Sequence, residues 1–134
     1  MADQSERRRS ILVVEDDADI RKMVCESLEE EGYRTTGAAN GAQGLASVDA
    51  ERPELVLLDL NMPICDGWAF ARGMLERRAT VPTVVMTAAA KDSINLKELG
   101  ASALLSKPFS LIALFAAVTL ALPLPLPVPL PPLP

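Results

Sequence analysis

Short apolar runs that do not alternate with polar residues, each ending on a charged or hydroxyl side chain, constrain this chain more than any other feature. Ile11-Leu12-Val13-Val14 stops at Glu15-Asp16-Asp17, Leu55-Val56-Leu57-Leu58 stops at Asp59, and Thr83-Val84-Val85-Met86 stops at Thr87. A strand with one face in water alternates in polarity, whereas one covered on both faces does not, and that double cover belongs to the parallel sheet of an α/β fold. Ala103-Leu104-Leu105-Ser106 reads as a further strand, ending at Lys107-Pro108, and Tyr33-Arg34-Thr35-Thr36 as a less apolar one.

Helical patterns fill the intervals. Ile20, Met23, Val24 and Leu28 share one helical face, charges fill the other, and Gly32 offers a left-handed stop, so the spacing predicts a first helix over Asp19–Glu31. Asn40 is placed to cap a second helix carrying Ala42, Leu45, Ala46 and Val48, closed by Pro53. Asn61-Met62-Pro63 and Asp66-Gly67 mark a loop before a third, with Trp68, Phe70, Ala71, Met74 and Leu75. Pro82 suits the start of the strand that follows it. Leu96 and Leu99 suggest a short fourth helix ended by Gly100, and Ser110 a cap for a last one over Leu111–Leu122. Alternating βα units in 134 residues make one domain of one core.

Composition removes several functions. Thirteen Lys+Arg against 18 Asp+Glu leave a net charge of -5, the wrong sign for a broad nucleic-acid surface. With no histidine there is no imidazole base, no Ser-His-Asp triad and no phosphohistidine donor. Cys25 and Cys65 form neither a disulfide framework nor a C-x-x-C pair, so a reducing cytoplasm is expected, and neither thiol is given a role. The apolar run behind Arg7-Arg8-Arg9 is too short for a signal peptide, and residues 1–9 read as a flexible leader.

In an open parallel sheet, ligands bind outside the carboxyl ends of the strands, and there Glu15, Asp16, Asp59, Thr87 and Lys107 should converge. Gathered carboxylates repel one another unless a cation intervenes, and an all-oxygen donor set favours Mg²⁺. An aspartate can accept a phosphoryl group as an acyl phosphate, which makes Asp59 the candidate nucleophile. The charge on the transferred group then needs the metal, an ammonium and a hydroxyl, supplied by Mg²⁺, Lys107 and Thr87. Taken singly these residues read differently: the acidic run as a solvated turn before a helix, Asp59 as a turn acid, Lys107 as a surface charge. Their joint order carries the assignment.

The segments ILVVEDD, LVLLDLNMPICDG, VVMTA and SKPF resemble the motifs of the two-component response-regulator receiver domain, in the family's order, over roughly Ser10 to Ala121. The resemblance implies a doubly wound, flavodoxin-like sheet of five parallel strands in the order 2-1-3-4-5, which receivers themselves exemplify, and a cis bond before Pro108. It implies Asp59 as phosphoacceptor, Glu15 and Asp16 as the acidic pair holding Mg²⁺, Asn61 as a main-chain carbonyl ligand, and Thr87 and Lys107 on the phosphoryl group. A histidine kinase or phosphotransfer protein would be the donor and a downstream protein the target, in a signalling domain that catalyses its own phosphorylation and dephosphorylation and is not a turnover enzyme. Two features depart from the pattern: Leu104 stands where the family has Tyr or Phe, and the interval from Thr87 to Lys107 is about two residues short. Ala89, where the family tunes hydrolysis, is small and uncharged.

Two other functions use similar parts. A haloacid-dehalogenase-like phosphatase also has a strand-end aspartate, Thr, Lys and Mg²⁺, but resembles D-x-D at its first strand, whereas Asp59-x-Asn61 comes third here. A pseudo-receiver would bind partners without phosphorylation, as Leu104 and the unusual C-terminus suggest. The last helix has no charge on any face, and the segment after it, Pro123–Pro134, holds seven of the 11 prolines among Leu and Val, which predicts polyproline II. With ~25 residues after Lys107 there is no room for a helix-turn-helix effector, so a stand-alone receiver signalling through protein contacts is expected, with residues 122–134 as a proline-rich tail. The apolar helix and tail are too short to span a membrane and suggest contact with a second copy or a partner.

Overall fold

The computed structural model describes residues 8–60, 67–88 and 101–122. The expected helix around Leu96 and Leu99, Cys65, Ala89, the carbonyl of Asn61 and the proline-rich segment all lie outside those residues. Among the described residues there are five strands: β1 (Ser10–Val14), β2 (Arg34–Ala38), β3 (Leu55–Asp59), β4 (Thr83–Thr87) and β5 (Ala103–Ser106). Four helices among the same residues accompany them: α1 (Ala18–Glu30), α2 (Gly41–Ala50), α3 (Gly67–Glu76) and α4 (Leu111–Ala121). All neighbouring strands pair in parallel, in the order β2-β1-β3-β4-β5.

The lack of alternation in β1, β3 and β4 has the expected cause. Successive side chains along a strand point to opposite faces, and both faces here are covered. On one face Ile11, Val13, Leu55, Leu57, Val84 and Met86 meet Val24 and Leu28 of α1 and Leu114 and Val118 of α4. On the other, Leu12, Val14, Val56, Leu58 and Val85 meet Val48 of α2 and Phe70 and Met74 of α3. Each fully buried aliphatic side chain contributes roughly 1.5–3 kcal/mol, so these two layers dominate the stability and fix the strand register.

Local signals set the helix ends. Asp17 caps α1, its carboxylate accepting from the amides of Asp19 and Ile20 at 2.9 and 3.0 Å. Gly32, at φ +97°, turns the chain out of α1 in the left-handed region, and Tyr33 N–H returns to Leu28 O at 3.1 Å. Asn40 caps α2 through Gln43 N–H at 2.9 Å and Ser110 caps α4 through Ala113 N–H at 3.0 Å. The first helix starts and ends one residue earlier than its spacing predicts. Strand β2 runs two residues further than predicted, because pairing with β1 continues to Val14 opposite Ala38 although Gly37 and Ala38 have poor strand propensity.

Candidate functional site

Parallel pairing aligns the strand ends. Val14 sits beside both Ala38 and Leu58, Asp59 beside Met86, and Thr87 beside Ser106, so the residues that leave β1, β3, β4 and β5 emerge at one edge of the sheet. The acidic run after β1 then divides into three tasks. Glu15 turns inward and is fully buried, Asp16 stays exposed at the rim, and Asp17 is spent on capping α1. The reading of this run as helix-start acids thus describes Asp17 alone.

Carboxylate oxygens of Glu15, Asp16 and Asp59 lie within 4.8 Å of one another. Lys107, carried in from the end of β5, donates from Nζ to Glu15 Oε1 and lies 3.4 Å from Asp59 Oδ2. Its backbone N–H donates to Thr87 O at 2.8 Å, and Thr87 is itself buried, so β4 and β5 remain tied together at the site. The peptide bond from Lys107 to Pro108 is cis, as the resemblance implies. Glu15, Asp16, Asp59 and Lys107 therefore come together, with the main chain of Thr87 joined to that of Lys107 beside them; Asn61 lies outside the described residues.

The electrostatics follow from burial. Glu15 is pushed up to about 7, first by loss of water and then by a hydrogen bond to the neighbouring Asp59 carboxyl, against the pull of Lys107. Burial disfavours the charge on Lys107, yet its hydrogen bond to Glu15 and the charges of Asp59 and Glu15 outweigh this and hold it above the ordinary lysine value. One cation is thus shared between two buried acids, with a third acid at the mouth. Such an all-oxygen set fits a hard divalent ion: two carboxylates already need more positive charge than one ammonium provides, and Asp16 leaves the site open to solvent.

Residues outside the site are also settled by their surroundings. Cys25 is a free, half-buried thiol, and burial raises its pKa, which suppresses thiolate chemistry. Trp68 is 38% exposed at the start of α3. Leu104 is half-buried against the α2–α3 side of the sheet. One residue that contacts the site was not visible in the sequence: Arg21, whose Nη1 donates to Glu15 O at 2.8 Å. It sits on the charged face of α1, and only the crossing of that helix over the sheet brings it to Glu15.

Known proteins share both sequence and fold. The response regulator receiver domain family matches residues 11–119. Sporulation initiation phosphotransferase F of Bacillus subtilis is 42% identical over 103 residues, covering 75% of this chain and 83% of the relative. The transcriptional regulatory protein PdtaR of Mycobacterium tuberculosis is 37% identical over 116 residues, covering 84% of this chain but 56% of the relative. The chain likewise spans about half the length of other transcriptional regulators that it matches, such as 49% of CseB of Streptomyces coelicolor. Among solved structures, the chemotaxis protein CheY4 of Vibrio cholerae superposes with a TM-score of 0.79 at 28% identity, covering 86% of this chain and 99% of that one. With a family match over most of its length, on the strand order and acidic cluster described above, the chain belongs to the response regulator receiver family.

Proposed function

We propose that the chain is a stand-alone receiver that takes a phosphoryl group from a phosphohistidine, on a histidine kinase or phosphotransfer protein, onto Asp59. The reading is carried by one observation: the Asp59 carboxylate shares a pocket with Glu15 and Asp16, all within 4.8 Å, and lies 3.4 Å from the Lys107 ammonium. A carboxylate oxygen of Asp59 attacks phosphorus, the bond from phosphorus to the donor imidazole nitrogen breaks, and the imidazole leaves with a proton. The product is an acyl phosphate on Asp59.

Glu15, Asp16 and Asp59, with the Asn61 carbonyl, would hold Mg²⁺, which supplies positive charge to the phosphoryl oxygens when bound. Lys107 balances the charge of Asp59 before transfer and pairs with the phosphoryl group afterwards. Thr87, at the end of β4, is the hydroxyl donor. Burial of Asp59 and Glu15 keeps bulk water from the carboxylate, so each of these contacts acts in a medium where charge interactions are strong. Output then passes through protein contacts to a downstream target. The match with sporulation initiation phosphotransferase F, which covers 83% of that relative, supports the stand-alone reading. The exposed apolar side of α4, with Ile112 and Leu120, supports self-association, and a free Cys25 is in keeping with a reducing cytoplasm. No helix among the described residues is long and apolar enough to cross a membrane.

The test is labelling with acetyl phosphate or phosphoramidate, followed by intact mass. The expected result is one phosphoryl group per chain, dependent on Mg²⁺ and absent in Asp59→Asn. An unlabelled parent protein would identify a pseudo-receiver, and repeated turnover of generic phosphate esters would identify a phosphatase.

A further inference from the structure

We propose that Arg21 is a positioning residue for the acidic cluster, fixing the main chain of Glu15 from a groove that Gly37 keeps open. Glu15 is the first residue after β1 and needs its backbone held if its side chain is to stay turned into the site. Both of its main-chain polar groups are in fact held. Its N–H donates to Ala38 O at 3.0 Å, and its carbonyl accepts from Arg21 Nη1 at 2.8 Å.

Strand β2 makes both contacts possible. Ala38 is the direct acceptor, and its neighbour Gly37 supplies space: a Cβ at residue 37 would come within 3.1 Å of Arg21 Cδ and 3.3 Å of Arg21 Cγ. A glycine in a strand marks a close approach of this kind, and here what approaches is the stem of Arg21 as it crosses from α1 to the end of β1. The helix that carries Arg21 is itself started by Asp17, two residues beyond Glu15. The acidic run, its helix cap and the arginine one turn later therefore form one closed unit around the site. Groups that orient a metal-binding carboxylate without touching the metal usually matter ~10–100-fold for affinity.

This inference rests on reading the cluster as a Mg²⁺ site, and the experiment separates the two. Mg²⁺ binding to the full chain is measured by titration calorimetry for the parent, Arg21→Met, Arg21→Lys, Gly37→Ala and the Gly37→Ala/Arg21→Met double variant. Arg21→Met keeps the apolar stem and removes the donor, and is expected to weaken binding about tenfold. Arg21→Lys, which can still donate, recovers most of that loss. Gly37→Ala, which displaces the stem while leaving the guanidinium in place as a donor, weakens binding by a smaller factor. In the double variant the two losses do not add, because both act through the same hydrogen bond.

As control, Arg77→Met removes a guanidinium that bonds to Asp49 at 2.8 and 3.1 Å and to Gly73 O at 3.1 Å, away from the site, and leaves Mg²⁺ affinity unchanged. Parent-like affinity in Arg21→Met, a loss no larger than in Arg77→Met, or additive losses in the double variant would each overturn the proposal. A parent that does not bind Mg²⁺ fails the site reading itself, and the positioning role falls with it.

Discussion

Lys107 Nζ lies 3.4 Å from Asp59 Oδ2 and at the same time donates to Glu15 Oε1, so one ammonium from the end of β5 holds two buried carboxylates that arrive on β1 and β3. Removing it leaves acids whose nearest compensation is a proton. Lys107→Met is therefore expected to destabilise the metal-free protein by about 2 kcal/mol near pH 8 and by clearly less near pH 6, where Glu15 takes up a proton. Urea unfolding at the two pH values reads this directly. Equal losses at both would mean that Lys107 does not balance the acids.

Glu15 carries its own pH dependence. Its value in the folded state, about 7, lies above its ordinary 4.5, so between these values the folded protein binds more protons than the unfolded chain. Stability from this group is then fully present at low pH and is lost as the pH rises through the window. The expected penalty above pH 7 is about 1–3 kcal/mol in chelator. Glu15→Gln should remove that slope and make the metal-free protein more stable than the parent near pH 8, and saturating Mg²⁺ should stabilise the parent but not the variant. A parent whose unfolding midpoint rises from about pH 5 to about pH 8 in chelator would contradict the assignment.

These two residues also show how far the sequence reaches. Glu15, Asp59, Thr87 and Lys107 were legible because each ends an unalternating apolar run, and parallel strands buried on both faces must deliver their ends to one edge. The hydrophobic pattern determined the sheet and the inward face of α1, where Val24 and Leu28 are buried though Met23 of the same predicted face is exposed; α4, apolar on every side, offered no such face, and packing alone turns Leu114 and Val118 inward. Arg21 was not legible, since an arginine on the polar side of an amphipathic helix looks like any solvated charge. Its role depends on where α1 crosses the end of β1, which is a property of packing. The same holds for Gly37, which in sequence only weakens a strand.

Gly67 opens α3 directly against the end of β3, which carries Asp59. A Cβ there would meet Leu60 Cδ2 at 2.7 Å, Leu60 Cα at 2.8 Å and the Asp59 carbonyl oxygen at 2.9 Å. Two of those three atoms are backbone and cannot swing aside, so Gly67→Ala must move either α3 or the end of β3. We expect a loss of about 1–3 kcal/mol in unfolding free energy, together with slower phosphodonor labelling because Asp59 is displaced. By contrast, Gly32→Ala meets no neighbouring atom within 4 Å and suffers only from its φ of +97°, so it should lose stability without changing the labelling rate of the folded protein. A Gly67→Ala protein that labels at the parent rate would show that α3 does not set the position of Asp59.

Helix α4 separates packing from surface. Leu114 and Val118 are fully buried against the sheet, while Ile112 and Leu120, at 82% and 81% exposure, stand in solvent on a helix without a charged residue. Folding needs the first pair and has no use for the second. Val118→Ala should cost about 2 kcal/mol, from lost burial and the cavity left behind. Replacing Ile112 and Leu120 together by Lys should change stability by no more than ~0.5 kcal/mol. An exposed apolar face of this kind draws copies together, so light scattering should show a mass that grows with concentration for the parent and a monomer for the double-lysine variant. A parent that stays monomeric over the same range would remove α4 as a contact between copies, leaving its exposed side chains to a different protein.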